Sequence, residues 1–443
     1  MSTRSDQMVL FVFASPTGYQ PGAWKHPGSR VEDLYSLDLQ ADIAKRAEAA
    51  KIHAVFLADW LSFGDTGKNP DLTGYEPFTT MGALAAVTEK IGIIGTASTT
   101  FMEPFHLARY FSQLDFLSKG RVGWNIVTSS TGQENFNIDL PFRDERYQRA
   151  LEYMDVVTGL WDCWEDDAVR ADRSTGIWAD RAKIHPLNHE GKHYKVEGPL
   201  LVPRSPQAWP VLAQAGSSPA GMDFAATYAE AVFTVKATLD KAQEFYGGVK
   251  DLLEQKGRSA KDLRILPGLM PIVGDNERDA QQIHNDLSDL IDFETGVKEL
   301  TVLLHKADLS DLEAHDLVPL ERLPTPEEVH LQGGSSRYPY FYEQAAIERK
   351  TMRELIREAT KAAGHSVVAG SAEQIADHME KWFHSDAADG FAILPPTVPV
   401  GLNRFLDEVV PILQSRGSFR KDYEEGTLRS NIGLERPASP WQD

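Results

Sequence analysis

The sequence predicts an α/β fold: one TIM-type (β/α)8 barrel domain spanning 1–443, with insertions. Three observations carry this. Short apolar runs alternate with helical stretches across short joints, the pattern of a parallel sheet wrapped by helices. By Ser130 the repeated units already exceed a single nucleotide-binding half. Finally, Gly120 to Ser130 (GRVGWNIVTSS) joins a helix stop, a buried strand and a hydroxyl-rich exit, which reads as one barrel step with a ligand at its mouth.

Taken in order, Val9 to Ala14 (VLFVFA) is a continuous apolar run bounded by polar residues, which fits a strand buried on both faces. Asp38 to Ala50 is a helix with Leu39, Ile43 and Ala47 on one side, and Ala54 to Asp59 (AVFLAD) is a second strand ending in a carboxylate. Glu76 to Thr88 is helical with Met81, Leu84 and Val87 inward, and Ile91 to Thr96 is the third strand. Pro104 to Leu117 gathers Leu107, Phe111, Leu114 and Leu117 on one apolar face. Gly120 is expected to end that helix in a left-handed conformation, and Arg121 to Val127 is the fourth strand.

From Arg143 a helix presents Tyr147, Leu151, Met154, Val157 and Leu160 on one face. Trp178 to Val202, within an insertion near 171–205, is irregular and aromatic and suggests a small β excursion over the barrel's end. Val211 to Ala215 is the fifth strand, followed by GSSP and the helix Ala220 to Tyr228. Ala231 to Val235, the helix Leu239 to Gln255 and Ile265 to Val273 extend the count to seven strands. A second insertion, 276–351, has the length of a lid or a subunit contact. Ser371 to Ser385, Phe391 to Leu394 and the amphipathic Leu402 to Arg416 supply the eighth unit; the polar tail 418–443 lacks a core period and is expected on the surface or against a neighbour.

The totals narrow the function. A formal charge of -20 and a pI of about 5.1 repel nucleic acid and anionic membranes alike. No apolar run approaches the length of a membrane span, and the apolar stretch near the start is too short for a signal peptide, so a cytoplasmic chain is expected. Cys163 is the one cysteine; on a helix, it reads as an inert thiol. His185, His189 and His193 are spaced by four across a proline and a glycine, which disfavours helical metal ligation, and no metal site is expected. Walker, GxSxG and GxGxxG patterns are absent.

In such a barrel the reactive face is the C-terminal end of the strands. Those ends carry Asp59, Thr96, Asn125 with Ser129, and Ala215 with Gly216, a polar rim on apolar strands. Buried polar groups there are costly unless bonded, so the rim implies a polar ligand, or caps bonded to their own loops. GSSP is sharper: Ser218 suits a helix cap and Pro219 the first turn. Backbone N–H groups and the hydroxyls of Ser217 and Ser218 then make a phosphate cradle at a positive helix end.

AVFLAD, IGIIGTASTT, HLARYFSQLDFLSKGRVGWNIVTS, DERYQRALEYMDVVTGLWDCWEDDA and HYKVEGPLLVPRSPQAWPVLAQAGSSPAGMDFAATYAEAVF resemble the bacterial luciferase-like superfamily. Within it they are similar to the branch of nitrilotriacetate, EDTA, dibenzothiophene-sulfone and long-chain alkane monooxygenases, over about residues 8–435. The resemblance implies a two-component monooxygenase that takes FMNH2 from a separate NAD(P)H:flavin reductase and uses O2 to hydroxylate or oxidatively cleave a small organic substrate, next to N or S. It also implies a homodimer or homotetramer. By the same resemblance Asp59 and Thr96 line the flavin ring, Asn125 and Ser129 contact it from the fourth strand, and Tyr147, Ser217 and Ser218 grip the phosphate. Arg143 departs from relatives that carry histidine there, which points either to a guanidinium aimed at a phosphate or anionic substrate, or to an exposed helix turn. A deazaflavin-dependent oxidoreductase and a non-catalytic flavin-binding protein on the same barrel are the alternatives, with a metal-dependent hydrolase behind them.

Overall fold

The structure is a computed structural model describing residues 7–63, 75–129, 131–216, 218–331, 337–360 and 362–441. Its centre is a closed ring of eight parallel strands: β1 (Val9–Phe13), β2 (Ala54–Leu57), β3 (Gly92–Ser98), β4 (Val122–Val127), β5 (Val211–Gln214), β6 (Ala231–Thr234), β7 (Arg264–Val273) and β8 (Gly390–Ile393). Neighbours pair in chain order from β1 to β7, and the ring closes through β8, which lies between β7 and β1.

The apolar runs look continuous because each strand is buried on both faces. Phe11, Phe56, Ile94, Ala213, Ala231 and Leu266 point into the lumen as one cluster. Leu10, Val55, Ile93, Trp124, Leu212 and Ile393 point out beneath the helices. Those helices are α1 (Leu37–Ala49), α2 (Pro77–Val87), α3 (Pro104–Ser118), α4 (Arg143–Trp161), α5 (Pro219–Tyr228) and α6 (Leu239–Gln255). The predicted faces are the buried ones: Leu107, Phe111 and Leu114 on α3, and Met154, Val157 and Leu160 on α4.

Four features differ from the reading of the sequence. The end of α3 uses Lys119 as well as Gly120, both at positive φ (59° and 85°); Gly120 stays a glycine because a Cβ there would lie 2.6 Å from Thr427 Cγ2. The 169–196 excursion forms two small hairpins and does not cover the barrel mouth; it lies along the outside of α4, where Glu152 accepts from the backbone of His193 and Tyr194 and Arg149 donates to the Tyr194 hydroxyl. A ninth strand, Ser366–Gly370, pairs with the outer half of β7, from Leu269 to Val273. Only a β7 ten residues long, running past the barrel, gives that short run a partner. The final helix carries a π turn at Phe405–Val409, which accommodates Pro411, whose ring would otherwise press on the carbonyl one turn back.

A fifth difference is the largest. The polar tail does not lie on the surface: it plugs the N-terminal end of the barrel, with Leu428, Ile432 and Leu434 packed into the lumen cluster. Arg429 is 1% exposed; it ion-pairs with Glu230, and its Nη2 donates to the carbonyls of Trp209 and Pro210. Arg264 from β7 donates to the carbonyls of Ile432 and Gly433. Apolar periodicity is invisible here because a short plug is held by backbone carbonyls and arginines and not by a helical stripe.

The insertion after β7 has its own small core of Leu300, Leu304, Tyr338, Phe341, Met352 and Leu355. It sits beside the mouth: Lys25, in the loop after β1, donates to the carbonyl of Leu290. Among the described residues no helix is long and apolar enough to cross a membrane.

Candidate active site

A cleft of about 380 Å³ opens at the C-terminal ends of β2 to β5, within the size of ligand pockets. Asp59, Trp60 and Leu61 line it from the exit of β2, Thr96 and Ser98 from β3, residues 126–129 and Thr131 from β4, and Arg146 and Tyr147 from the first turn of α4. Gln214, Ala215, Gly216 and Phe224 close it on the β5–α5 side.

Of the residues picked out from sequence, Asp59, Thr96, Ser129, Tyr147, Ala215 and Gly216 share this one cleft. Asn125 lies just beneath it in the lumen, where its Nδ2 donates to Thr96 Oγ1 at 2.9 Å and Thr96 Oγ1 donates to the Leu57 carbonyl at 2.9 Å. Asn125 Oδ1 is buried with no partner among the described residues. Ser218 caps α5, its Oγ accepting from Gly221 N at 3.1 Å. Ser217 and the Arg143 side chain lie outside the described residues.

The sequence reading missed Arg146, Gln214, Ser98, Trp60 and Phe224. Arg146 is one helix position before Tyr147, so the signal that marked the tyrosine could have marked both. Its Nη1 donates to the Pro141 carbonyl at 2.7 Å, holding the guanidinium at the start of α4. Gln214 was hidden because it is the outward residue of a strand whose inward residues drew attention; its Oε1 is buried without a partner among the described residues.

The electrostatics follow from this geometry. Burial pushes the Asp59 carboxyl up to about 6, with the nearby Glu76 carboxylate adding to it and the Trp60 N–H opposing it. Glu76 is itself fixed, capping α2 through Phe78 N and Thr79 N. Ser129 Oγ donates to Ser98 Oγ at 2.7 Å, so two strand ends share one hydroxyl pair. At the α5 end the backbone comes unusually close: a Cβ at Gly216 would lie 2.2 Å from Gln214 Nε2 and 3.1 Å from Gly221 Cα. That approach packs the exit of β5 directly against the first turn of α5, whose Gly221 N–H is taken by Ser218 Oγ.

The clustered histidines, from which no metal site is expected, have carboxylate partners at two positions. His185 pairs with Glu165 and stacks on Trp441, and His189 pairs with Glu152. Cys163 is buried, bonded to the Gly159 carbonyl, and burial pushes its thiol up, away from the reactive thiolate.

The profile of the luciferase-like monooxygenase family matches residues 10–390. The chain is 43% identical to N-acetyl-S-(2-succino)cysteine monooxygenase of Bacillus subtilis (strain 168), across 99% of both chains. It is 39% identical to nitrilotriacetate monooxygenase component A of Aminobacter aminovorans, across 97% of both. The solved structure of DmoA from Hyphomicrobium sulfonivorans superposes with a TM-score of 0.84 at 31% identity, covering 96% of this chain and 92% of that one. A barrel sealed at one end and polar at the other, matched along nearly its whole length by these enzymes, places the chain in the luciferase-like monooxygenase family, as a two-component enzyme that uses FMNH2 and O2.

Proposed function

We propose that the cleft over β2 to β5 holds FMN, and that the substrate is a small carboxylate-bearing compound oxidised next to nitrogen or sulfur. The observation that carries the cofactor placement is the donor and acceptor set of the cleft itself. Two buried oxygens without partners among the described residues, Asn125 Oδ1 and Gln214 Oε1, lie at its floor and its α5 end. The glycine pair at Gly216 and Gly221 forms a cradle that any Cβ would fill, at the positive end of α5. Arg146 and Tyr147 face that end, and Asp59 faces the other.

In this reading Ser217, Ser218, Arg146 and Tyr147 would hold the phosphate, with Ala215 and Gly216 on the same β5–α5 side, while Asp59, Thr96, Ser129 and Asn125 would orient the ring. Arg143 serves the phosphate end from the start of α4. Reduced FMN, when bound, supplies the electrons that activate O2 for insertion of one oxygen atom into the substrate. Asp59, with its carboxyl near 6, holds or releases a proton at the ring end close to neutral pH. Trp60 and Phe224 exclude water from the cleft walls.

The substrate class rests on the two relatives above, whose names denote carboxylate-bearing thioether and amine compounds. We further propose a cytoplasmic homodimer or homotetramer serving xenobiotic degradation, with the whole chain acting as one domain. The test is oxygen consumption with a generic flavin reductase, NADH and FMN, against N-acetyl-S-(2-succino)cysteine, nitrilotriacetate, dibenzothiophene sulfone and dimethyl sulfide. Substrate-dependent uptake on a carboxylated compound, only when reduced FMN is supplied, is the expected result. NADH-driven turnover by the purified chain alone would overturn it.

A further inference from the structure

The mouth has a second half, over β6, β7, β8 and β1, that the flavin assignment leaves unused. Its floor is aromatic: Phe13 stacks on Phe56 with ring centroids 5.0 Å apart, and Phe233 lies 5.8 Å from Phe13. Above that floor stands a polar crown. His365 stacks on Phe233 at 5.0 Å, and Tyr19 meets His365 edge-on at 5.9 Å. Arg337, at the start of the helix Tyr338–Ala346, flanks them: a Cβ at Gly364 would lie 3.8 Å from Arg337 Cδ and Nε. Its guanidinium acts electrostatically on both the Tyr19 hydroxyl and the His365 ring.

Three chain segments far apart in sequence converge here. Tyr19 is fixed because its N–H donates to the Pro395 carbonyl at the exit of β8. His365 lies over Gly268 of β7, where a Cβ would come 2.2 Å from its Nδ1. That Nδ1 belongs to a residue 5% exposed and has no partner among the described residues. A small recess lined by Phe13, Pro16, Leu57 and Ala58 lies in this half, and Ala58 precedes Asp59 of the cleft in the chain.

We propose that Arg337, the Tyr19 hydroxyl and His365 form the seat for a carboxylate of the substrate, holding its oxidisable sulfur or nitrogen over the aromatic floor beside the flavin cleft. The proposal rests on the monooxygenase reading above and deepens it. A chain of net charge -20 repels an anionic substrate at a distance, so recognition needs a local cation, and a guanidinium matches a carboxylate with two parallel N–H donors. Burial and Arg337 hold the His365 ring neutral, its pKa pushed down to about 3, so the ring contributes a hydrogen bond and no charge. Phe13, Phe56 and Phe233 give the uncharged middle of such a molecule an apolar surface.

The experiment is calorimetric binding of N-acetyl-S-(2-succino)cysteine, nitrilotriacetate and dimethyl sulfide to the wild type and to Arg337→Ala, Arg337→Lys and Tyr19→Phe, beside FMN affinity and oxygen uptake. Expected are wild-type binding of a carboxylated probe, at least a tenfold loss in Arg337→Ala, partial retention in Arg337→Lys, about a threefold loss in Tyr19→Phe, and unchanged FMN affinity throughout. Should Arg337→Ala fail to fold, the other two variants carry the test. Carboxylate affinity within twofold of wild type in all three variants, or a wild type that binds only dimethyl sulfide, overturns the seat while leaving oxygen uptake to judge the monooxygenase reading. Carboxylate binding lost in the variants without any oxygen uptake supports the seat and overturns that reading.

Discussion

At the floor of the barrel, Arg429 commits both terminal nitrogens to Glu230 and two carbonyls, and Glu230 Oε2 in turn accepts from Leu212 N at the start of β5. Gln207 ties the same knot, accepting from Arg429 N and donating to Asp115 and Val122. At the mouth, Asn125 Oδ1 and Gln214 Oε1 are buried without partners among the described residues, Asp59 is held near 6, and Gly216 packs on Gly221 at the start of α5. Both ends are polar, yet one is closed by its own chain and the other is left for a ligand. An unpaired buried polar atom costs about 1–3 kcal/mol; the floor carries one too, Arg429 Nε among the described residues, but its ion pair and carbonyl bonds are all made within the chain.

If that division holds, substitutions at the two ends should separate stability from binding. The largest effect is expected at the floor. Arg429→Ala leaves Glu230 as an uncompensated charge and should destabilise by about 3–5 kcal/mol, the cost of breaking a buried ion pair, seen as a lowered thermal midpoint. A variant that kept its midpoint would mean that the tail merely rests on the barrel.

Next comes Arg146→Ala, which should weaken FMN binding about tenfold, or ~1.4 kcal/mol, with the thermal midpoint of the flavin-free protein almost unmoved. Equal losses of both would make Arg146 a structural residue of α4. Ser218→Ala follows: loss of the α5 cap bond to Gly221 N costs about 1 kcal/mol, and FMN affinity, read by fluorescence titration, should fall by a similar factor. Full affinity in that variant would put the phosphate elsewhere.

The smallest effect is at Asp59. Its folded pKa, near 6, lies above the ordinary carboxyl value of about 3.9. The folded state therefore binds that proton more tightly than the unfolded chain. The resulting stability is complete below about pH 4 and is lost as pH rises through about 6. Asp59→Asn should thus gain on the wild type by about 1–2 °C in thermal midpoint between pH 4 and pH 7. A difference that stays flat with pH would show the carboxyl to be solvated like any other.

Much of this was legible beforehand. The strands read as unbroken apolar runs because both faces are covered, and Ser218 with Pro219 announced a helix start that the structure shows as a capped one. The hydroxyls and carboxylate at the strand exits were visible for the same reason: polar residues stand out on apolar strands. Three things were not. Ser366–Gly370 has no meaning until β7 overruns the barrel and offers it an edge. Arg146 and Gln214 face the cleft only because the α4 and α5 starts converge on β4 and β5. The tail reads as solvated because its contacts are to backbone carbonyls, which no side-chain pattern reports.

By itself, then, the sequence determined local matters: which runs become strands, where helices start and stop, and which small and polar residues sit at strand ends, since each follows from covalent geometry and the burial of neighbouring side chains. Tertiary structure alone decided which end of the ring is sealed, which buried oxygens stay open, and that Tyr19, Arg337 and His365 meet above one aromatic floor. Those outcomes depend on contacts between residues tens to hundreds of positions apart, and closing the ring is what brings them together.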